Sequence, residues 1–263
     1  MDTRPVVLVT GSAQRIGRAI ALELAGAGWR VAVHHRRSAA EAAQTVAAAE
    51  ATGTQALAFG ADLALEEAAE ALVPAVTRAF GRIDAVVNNA SLFEHDTIDS
   101  LRWDTLERHW RTNTAAPLAL ARALHRAAGA PDAPPPPPGG RAVINLLDQK
   151  LWNPNPDHLS YTLSKAALES ATTLLAMALA PAVRVVGVAP GVTMLSGDMS
   201  GPEFEASHRM TPLGRSSTAQ DVARAVRFAL ESPAITGTTL LVDGGQHLAP
   251  QRRDVMFLAR GDA

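Results

Sequence analysis

Cysteine is absent from the 263 residues, which excludes disulfides, thiolate metal sites and cysteine nucleophiles. Aromatic residues make up only 4% of the chain and tyrosine occurs once, so Tyr161 and a phenylalanine beyond a strand end, Phe93, stand out. Neither sign of charge is in marked excess: 24 Lys and Arg against 26 Asp and Glu leave a formal charge of -2. That balance gives no general attraction to nucleic acid or to an anionic membrane. The eight histidines show no HExxH or comparable ligand spacing, so no metal site is expected. No apolar run reaches the roughly 18 residues that a membrane span needs. Residues 1–5 lead into an apolar strand pattern without a signal-like segment, and the expected location is cytoplasmic.

What is present is enough apolar content, 47%, to bury a large core as one α/β domain spanning 1–263. Val6 to Ile20 reads as strand, turn and helix. Val6 to Val9 form a buried strand, Gly11 opens the turn, and Gly17 permits close packing where a helix to about Ala25 begins. The unpaired N–H groups and positive dipole end of such a helix suit a phosphate. Arg15 and Ile16 lie within this turn, and a guanidinium there can bind phosphate oxygens. A second strand, Arg30 to Val33, ends in His34-His35-Arg36-Arg37-Ser38. Arg36, Arg37 and Ser38 offer donors to an adenosine 2′-phosphate and favour NADP over NAD; the alternative is a solvated basic loop.

Helix Ala39 to Ala51 and strand Ala56 to Phe59 follow. Asp62 and Leu63 then either hold an adenine or, for Asp62, cap the helix beginning near Leu65. The strand Ala85 to Val87 closes with Asn88-Asn89-Ala90-Ser91, which can wall a cofactor crevice at the sheet's carboxyl edge or form an ordinary turn. Phe93 is placed to stack on a flat heterocycle or to fill the core. Residues 101–113 and 117–128 read as a long helical region around Asn113. Residues 129–140 hold five consecutive prolines and are expected to be an extended, solvated surface insert.

After strand Ala142 to Leu146 come Asp148, a loop with Trp152 and a surface-loop histidine, His158, and then a helix carrying Tyr161 and Lys165. These two stand four residues apart on one helix face, where an ammonium can favour the phenolate. Val183 to Val188 forms a strand ending at Pro190-Gly191-Val192, whose backbone can meet a nicotinamide carboxamide. Residues 194–212 lack a period and are expected to be a substrate lid. A helix at Asp221 to Leu230 and a strand at Thr238 to Val242 precede a tail, 246–263, that could cover the substrate mouth or an interface.

Taken together, TGSAQRIG, Asn88-Asn89-Ala90, Asn113, YTLSK, Pro190-Gly191 and VDGG resemble the short-chain dehydrogenase/reductase family over essentially the whole chain. Arg15 in the turn, His34 to Ser38, Phe93, and Asp148 in place of the usual serine are similar to the pteridine reductases, with dihydromonapterin reductases close by. The resemblance implies a doubly wound Rossmann domain, a parallel sheet in the order 3-2-1-4-5-6-7, NADPH as cofactor and a homotetramer. It implies catalytic roles for Asp148, Tyr161, Lys165 and Asn113. Cofactor contacts would come from Gly11, Arg15, Ile16, Gly17, His35, Arg36, Arg37, Ser38, Asp62, Leu63, Asn89, Ala90, Ser91, Lys165, Pro190, Gly191 and Val192. Arg15, Ser91, Phe93, Asp148 and Tyr161 would face a pterin-like substrate. The implied reaction is reduction of a dihydropterin, and by extension an oxidised pterin or dihydrofolate. A carbonyl or 3-oxoacyl reductase and a nonenzymatic NADP-binding regulator are the competing readings.

Overall fold

The structure, a computed structural model, describes residues 2–195 and 199–260. Among these residues, the strands β1 (Val6–Val9), β2 (Arg30–His35), β3 (Ala56–Gly60), β4 (Ala85–Asn88), β5 (Arg141–Leu146), β6 (Val183–Pro190) and β7 (Thr239–Val242) form one sheet. Its order is β3-β2-β1-β4-β5-β6-β7, and every pairing is parallel. The order reverses between β1 and β4, so the connections leaving these two strands diverge to opposite faces and open a crevice at their carboxyl ends.

The sheet is covered on both sides. Val7 and Val9 pack with α1 (Arg15–Gly26), α2 (Ala39–Glu50) and α8 (Ala219–Glu231). Val6 and Leu8 point the other way, into α3 (Glu66–Phe80), α5 (Ala116–Ala128) and α6 (Leu159–Leu179). This alternation along a four-residue strand explains why all four positions are apolar and fully buried. Each such side chain contributes about 1.5–3 kcal/mol relative to an exposed one.

The long helical region divides into α4 (Trp103–Trp110), a π turn at Arg111–Ala115 and α5. A π turn is commonly tied to a functional position, and this one carries Asn113. The segment expected to lack periodicity contains α7 (Gly201–Arg209), started by a capping box of Ser200 and Glu203. Residues 196–198 of the expected lid and 261–263 of the tail lie outside the described residues. Within the described tail, a 3-10 turn at Gln246–Leu248 precedes α9 (Val255–Arg260).

The proline insert stays at the surface, but it is not simply solvated. Arg82 donates to Pro135 O, Arg141 to Pro134 O, and Arg184 to Gly139 O. These three arginines pin the insert beneath the amino ends of β4, β5 and β6, opposite the crevice. No described helix is long and apolar enough to cross a membrane.

Candidate active site

The crevice begins at the glycine turn. Gly11 has φ +62°, and a Cβ on Gly17 would lie 2.3 Å from Gly11 O and 2.5 Å from Asn89 Nδ2. Only glycine permits this contact between turn and helix. Asn89, just after β4, braces it, with Nδ2 donating to Thr10 O and Gly11 O, while Thr10 Oγ1 accepts from the Asn89 and Ala90 N–H groups. Arg15 has φ +56°, a left-handed conformation that costs a non-glycine residue roughly 1–2 kcal/mol. Its guanidinium crosses to Leu195 O at 2.7 Å. Arg15→Gly is therefore expected to raise Tm by about 2–4 °C for each ~1 kcal/mol recovered while weakening anion binding in the crevice. Paired melting curves and cofactor titrations check both signs.

His34, named in the strand-end motif, proves to be a brace for the turn. It is buried, its Nδ1 accepts from Gly11 N at 3.0 Å, and its Nε2 lies 3.1 Å from Ala61 O. Together these contacts require the neutral Nε2–H tautomer. Burial lowers the imidazole pKa from 6.5 to about 4. Between these values the unfolded chain binds the extra proton, so stability rises with pH and is lost as pH falls from 6.5 to about 4. The integrated change is about 3 kcal/mol. Denaturant titrations from pH 7 to pH 4 are expected to show this slope, reduced in His34→Gln.

Beyond the turn, Arg36 and Arg37 are exposed on the rim of a cleft of about 960 Å³ that also includes Gly11, Arg15, Ile16, Gly17, His35 and Ser38. Farther along it lie Asp62, Leu63, Asn89, Ala90, Ser91, Phe93 and Tyr161. The buried Nδ1 of His35 has no partner among the described residues. A glycine cradle that Cβ atoms would fill, a basic rim and an open ring nitrogen fit an adenine dinucleotide phosphate. Asp62 does not cap α3: Leu65 is the N-cap, and Asp62 Oδ1 instead accepts from Ala64 N in a local turn.

The reacting end is assembled from three elements. Asp148 follows β5, Tyr161 and Lys165 stand on α6, Pro190 ends β6, and Gly191 and Val192 come directly after it. All six line a smaller chamber of about 230 Å³. Tyr161 Oη donates to Asp148 Oδ2 at 2.7 Å, and Lys150 N donates to Asp148 Oδ1 at 2.8 Å. Burial raises the Asp148 pKa, while burial and the adjacent Asp148 carboxylate push Tyr161 well above 10.

The expectation that Lys165 favours the phenolate is not met by this geometry. Its Nζ donates to Leu146 O at 2.7 Å and lies 5.8 Å from the Tyr161 ring centre. Burial brings Lys165 itself down to about 8. Desolvation of the phenol and the carboxylate bonded to it hold Tyr161 protonated.

Other expectations also change. Asn113 is buried, and both ends of its amide are committed within the protein. Oδ1 accepts from Leu92 N and Ser91 Oγ, and Nδ2 donates to Leu92 O and Ser164 Oγ. It thus fixes the segment leading to Phe93. The N–H of Val192, expected to face a carboxamide, donates to Gln246 Oε1 at 3.1 Å. His158 is not a surface histidine: it is buried with φ +54°, and its ring stacks on Phe93 at 4.2 Å between centres. Phe93 also meets Tyr161 edge-on at 4.7 Å and remains 40% exposed. Sequence reasoning missed His158 because a histidine among Asn, Pro and Asp has no periodic pattern to mark it as buried. It also missed Lys150 and Met256 at the chamber wall.

A parallel sheet that opens a dinucleotide crevice onto a carboxylate-bound tyrosine defines a Rossmann-type oxidoreductase. Comparison with known proteins places it further. The family model described as enoyl-(acyl carrier protein) reductase matches residues 11–247, and the chain belongs to this short-chain dehydrogenase/reductase family, whose cofactors are NAD(P). The crystal structure of FolM alternative dihydrofolate reductase 1 from Brucella canis complexed with NADP is 38% identical. It has a TM-score of 0.86 and the alignment covers 95% of this chain and 96% of that one. Pteridine reductase 1 from Leishmania tarentolae is 33% identical over 94% of this chain and 97% of its own length. A granaticin polyketide synthase protein from Streptomyces violaceoruber, named as ketoacyl reductase 2, is 34% identical over 93% and 96%.

Proposed function

We propose that this chain is an NADPH-dependent pteridine reductase that converts a dihydropterin to the tetrahydropterin. The observation that carries this reading is the Tyr161–Asp148 hydrogen bond of 2.7 Å beside the partly exposed Phe93 ring. A carboxyl group there can share a proton with a basic ring nitrogen, and Phe93 offers a flat face to a heterocycle. Arg36, Arg37 and Ser38 would hold the 2′-phosphate, the glycine turn and Arg15 the pyrophosphate, and Lys165 the nicotinamide ribose. Asp62, Leu63 and His35 would border the adenosine. Arg15 and Ser91 also lie where the polar edge of a pterin would reach.

When bound, NADPH supplies the hydride to the carbon of a pterin C=N bond. Tyr161 donates its phenolic proton to the adjoining nitrogen, and Asp148 stabilises the hydroxyl's orientation before transfer and relays the replacement proton. The overall reaction consumes one dihydropterin, one NADPH and one proton and yields tetrahydropterin and NADP. Burial and the bonded Asp148 carboxylate keep the proton on Tyr161, the donor of this exchange. We also infer a cytoplasmic homotetramer, with the exposed apolar residues Trp103 and Trp110 of α4 at its interfaces.

The test is NADPH oxidation by the purified protein with dihydrobiopterin, dihydromonapterin, dihydrofolate and a panel of small ketones. Pterin turnover is expected, with NADPH preferred to NADH at least tenfold and that preference lost in Arg36→Ala/Arg37→Ala. Turnover of ketones without pterins overturns the substrate assignment in favour of the ketoacyl reductase reading that the polyketide relative supports. Tight NADPH binding without any turnover favours a regulator.

A further inference from the structure

Part of the chamber wall belongs to a segment that the catalytic roles leave unused. Val255 and Met256, at the start of α9, line the same chamber as Asp148, Tyr161 and Lys165. Phe257 lies in the adjoining cleft, its ring 5.1 Å from His95 and 6.3 Å from His158. His158 in turn backs Phe93. A layer of rings therefore joins the face offered to a heterocycle to the strap formed by residues 253–257.

This strap is secured by buried charge, which is costly unless paired and hydrogen-bonded. Lys150 is only 3% exposed; its Nζ donates to Asp157 O and lies 3.5 Å from Asp254 Oδ2. The buried Asp157 accepts from Arg253 Nε at 2.9 Å and from Asp254 N at 2.8 Å. Asn153 Nδ2 donates to Ala249 O, and Ser207 Oγ of α7 donates to Val255 O. Lys150 also gives its backbone N–H to Asp148 Oδ1 at 2.8 Å. One residue thus touches the proton-handling carboxylate through its backbone and the strap through its ammonium.

We propose that Met256 determines substrate specificity by setting the width of the chamber, and that Lys150 is a positioning residue that fixes the strap relative to Asp148. The chain supplies this wall from its own fold. Phe93 and Met256 both line this chamber of about 230 Å³, so on this proposal planar bicyclic rings are accepted in preference to bulkier polycyclic ketones. This inference rests on the pteridine reading for the identity of the preferred substrate, but the size limit holds for ketones as well.

The experiment compares wild type, Met256→Ala, Met256→Phe, Lys150→Met and Lys150→Arg. Ligands are a dihydropterin and a graded series of one-, two- and three-ring ketones. Both turnover and dissociation constants from tryptophan fluorescence of the NADP-loaded protein are measured, so ligands that do not react still report the size limit. Met256→Ala is expected to improve the three-ring to one-ring ratio by about tenfold, and Met256→Phe to shift it the other way. Lys150→Met is expected to raise KM about tenfold with a smaller change in kcat. In cofactor-free protein it should also speed amide exchange at residues 254–257 by about tenfold, with Lys150→Arg restoring both.

A size ratio within twofold of wild type in both Met256 variants overturns the specificity role. Unchanged strap exchange and KM in Lys150→Met overturn the positioning role. Wild-type turnover of ketones without dihydropterin rejects the pteridine reading, yet the size ratio still decides the strap.

Discussion

Tyr161→Phe is expected to lower kcat by about 10²–10⁴-fold, with NADPH affinity changed by less than twofold. The substitution removes one oxygen from a buried site, leaving ring packing against Phe93 in place. What disappears is the proton itself and the donor to Asp148 Oδ2. Asp148→Asn should be milder and should change shape as well as height. With the carboxylate gone, its upward push on the phenol is removed, so the alkaline limb of the kcat profile moves to lower pH. Rates from pH 5 to pH 11 for wild type and both variants check this. Equal losses at every pH in Asp148→Asn would separate the aspartate from proton handling.

The second large effect concerns stability, far from the chemistry. Asp84, fully buried just before β4, accepts from Val6 N, from Arg82 Nε at 2.7 Å and from Arg82 Nη2 at 2.7 Å. Arg82 extends the network to Thr3 O and Pro135 O. Asp84→Ala strands a largely buried guanidinium and the first N–H of β1 together. Loss of one partner from a buried pair costs about 3–5 kcal/mol, equivalent to a fall in Tm of the order of 10 °C for a domain of this size. Calorimetry should show this fall, and Asp84→Asn should recover part of it by retaining the acceptor for Val6 N.

Much of this architecture was legible in the sequence because local and global demands agree. Apolar runs such as Val6–Val9 can only be strands buried on both faces, and their spacing by amphipathic helices leaves a parallel, doubly wound sheet as the consistent solution. The site residues were legible for a related reason: Gly11, Gly17, Asn89, Tyr161 and Lys165 meet steric or spacing requirements that few substitutes satisfy. The strand ends were less visible, since β2 and β6 continue through His35 and Pro190, where polar or proline residues disguise buried backbone pairing.

The misreadings share another cause. The sequence reads as one long helical region around Asn113 because a π turn is a one-residue departure in hydrogen-bond pattern that side-chain period does not reveal. His158 and Lys150 are polar residues whose burial depends on partners far along the chain: Glu94 O for the first, and Asp254 for the second. Such pairings carry no local signature. The helix α7 was hidden for the opposite reason, its strong capping box being followed by too little apolar periodicity to mark a buried face.

The solitary tyrosine makes the catalytic proton directly visible. In a chain with one phenol, tyrosinate absorbance near the red edge of the protein spectrum arises from Tyr161 alone, without labelling or subtraction of other tyrosines. Its onset, held above the ordinary range by burial and Asp148, becomes an intrinsic optical titration of the active site. Each bound cofactor, substrate or neighbouring substitution can then be ranked by how far it moves that single transition.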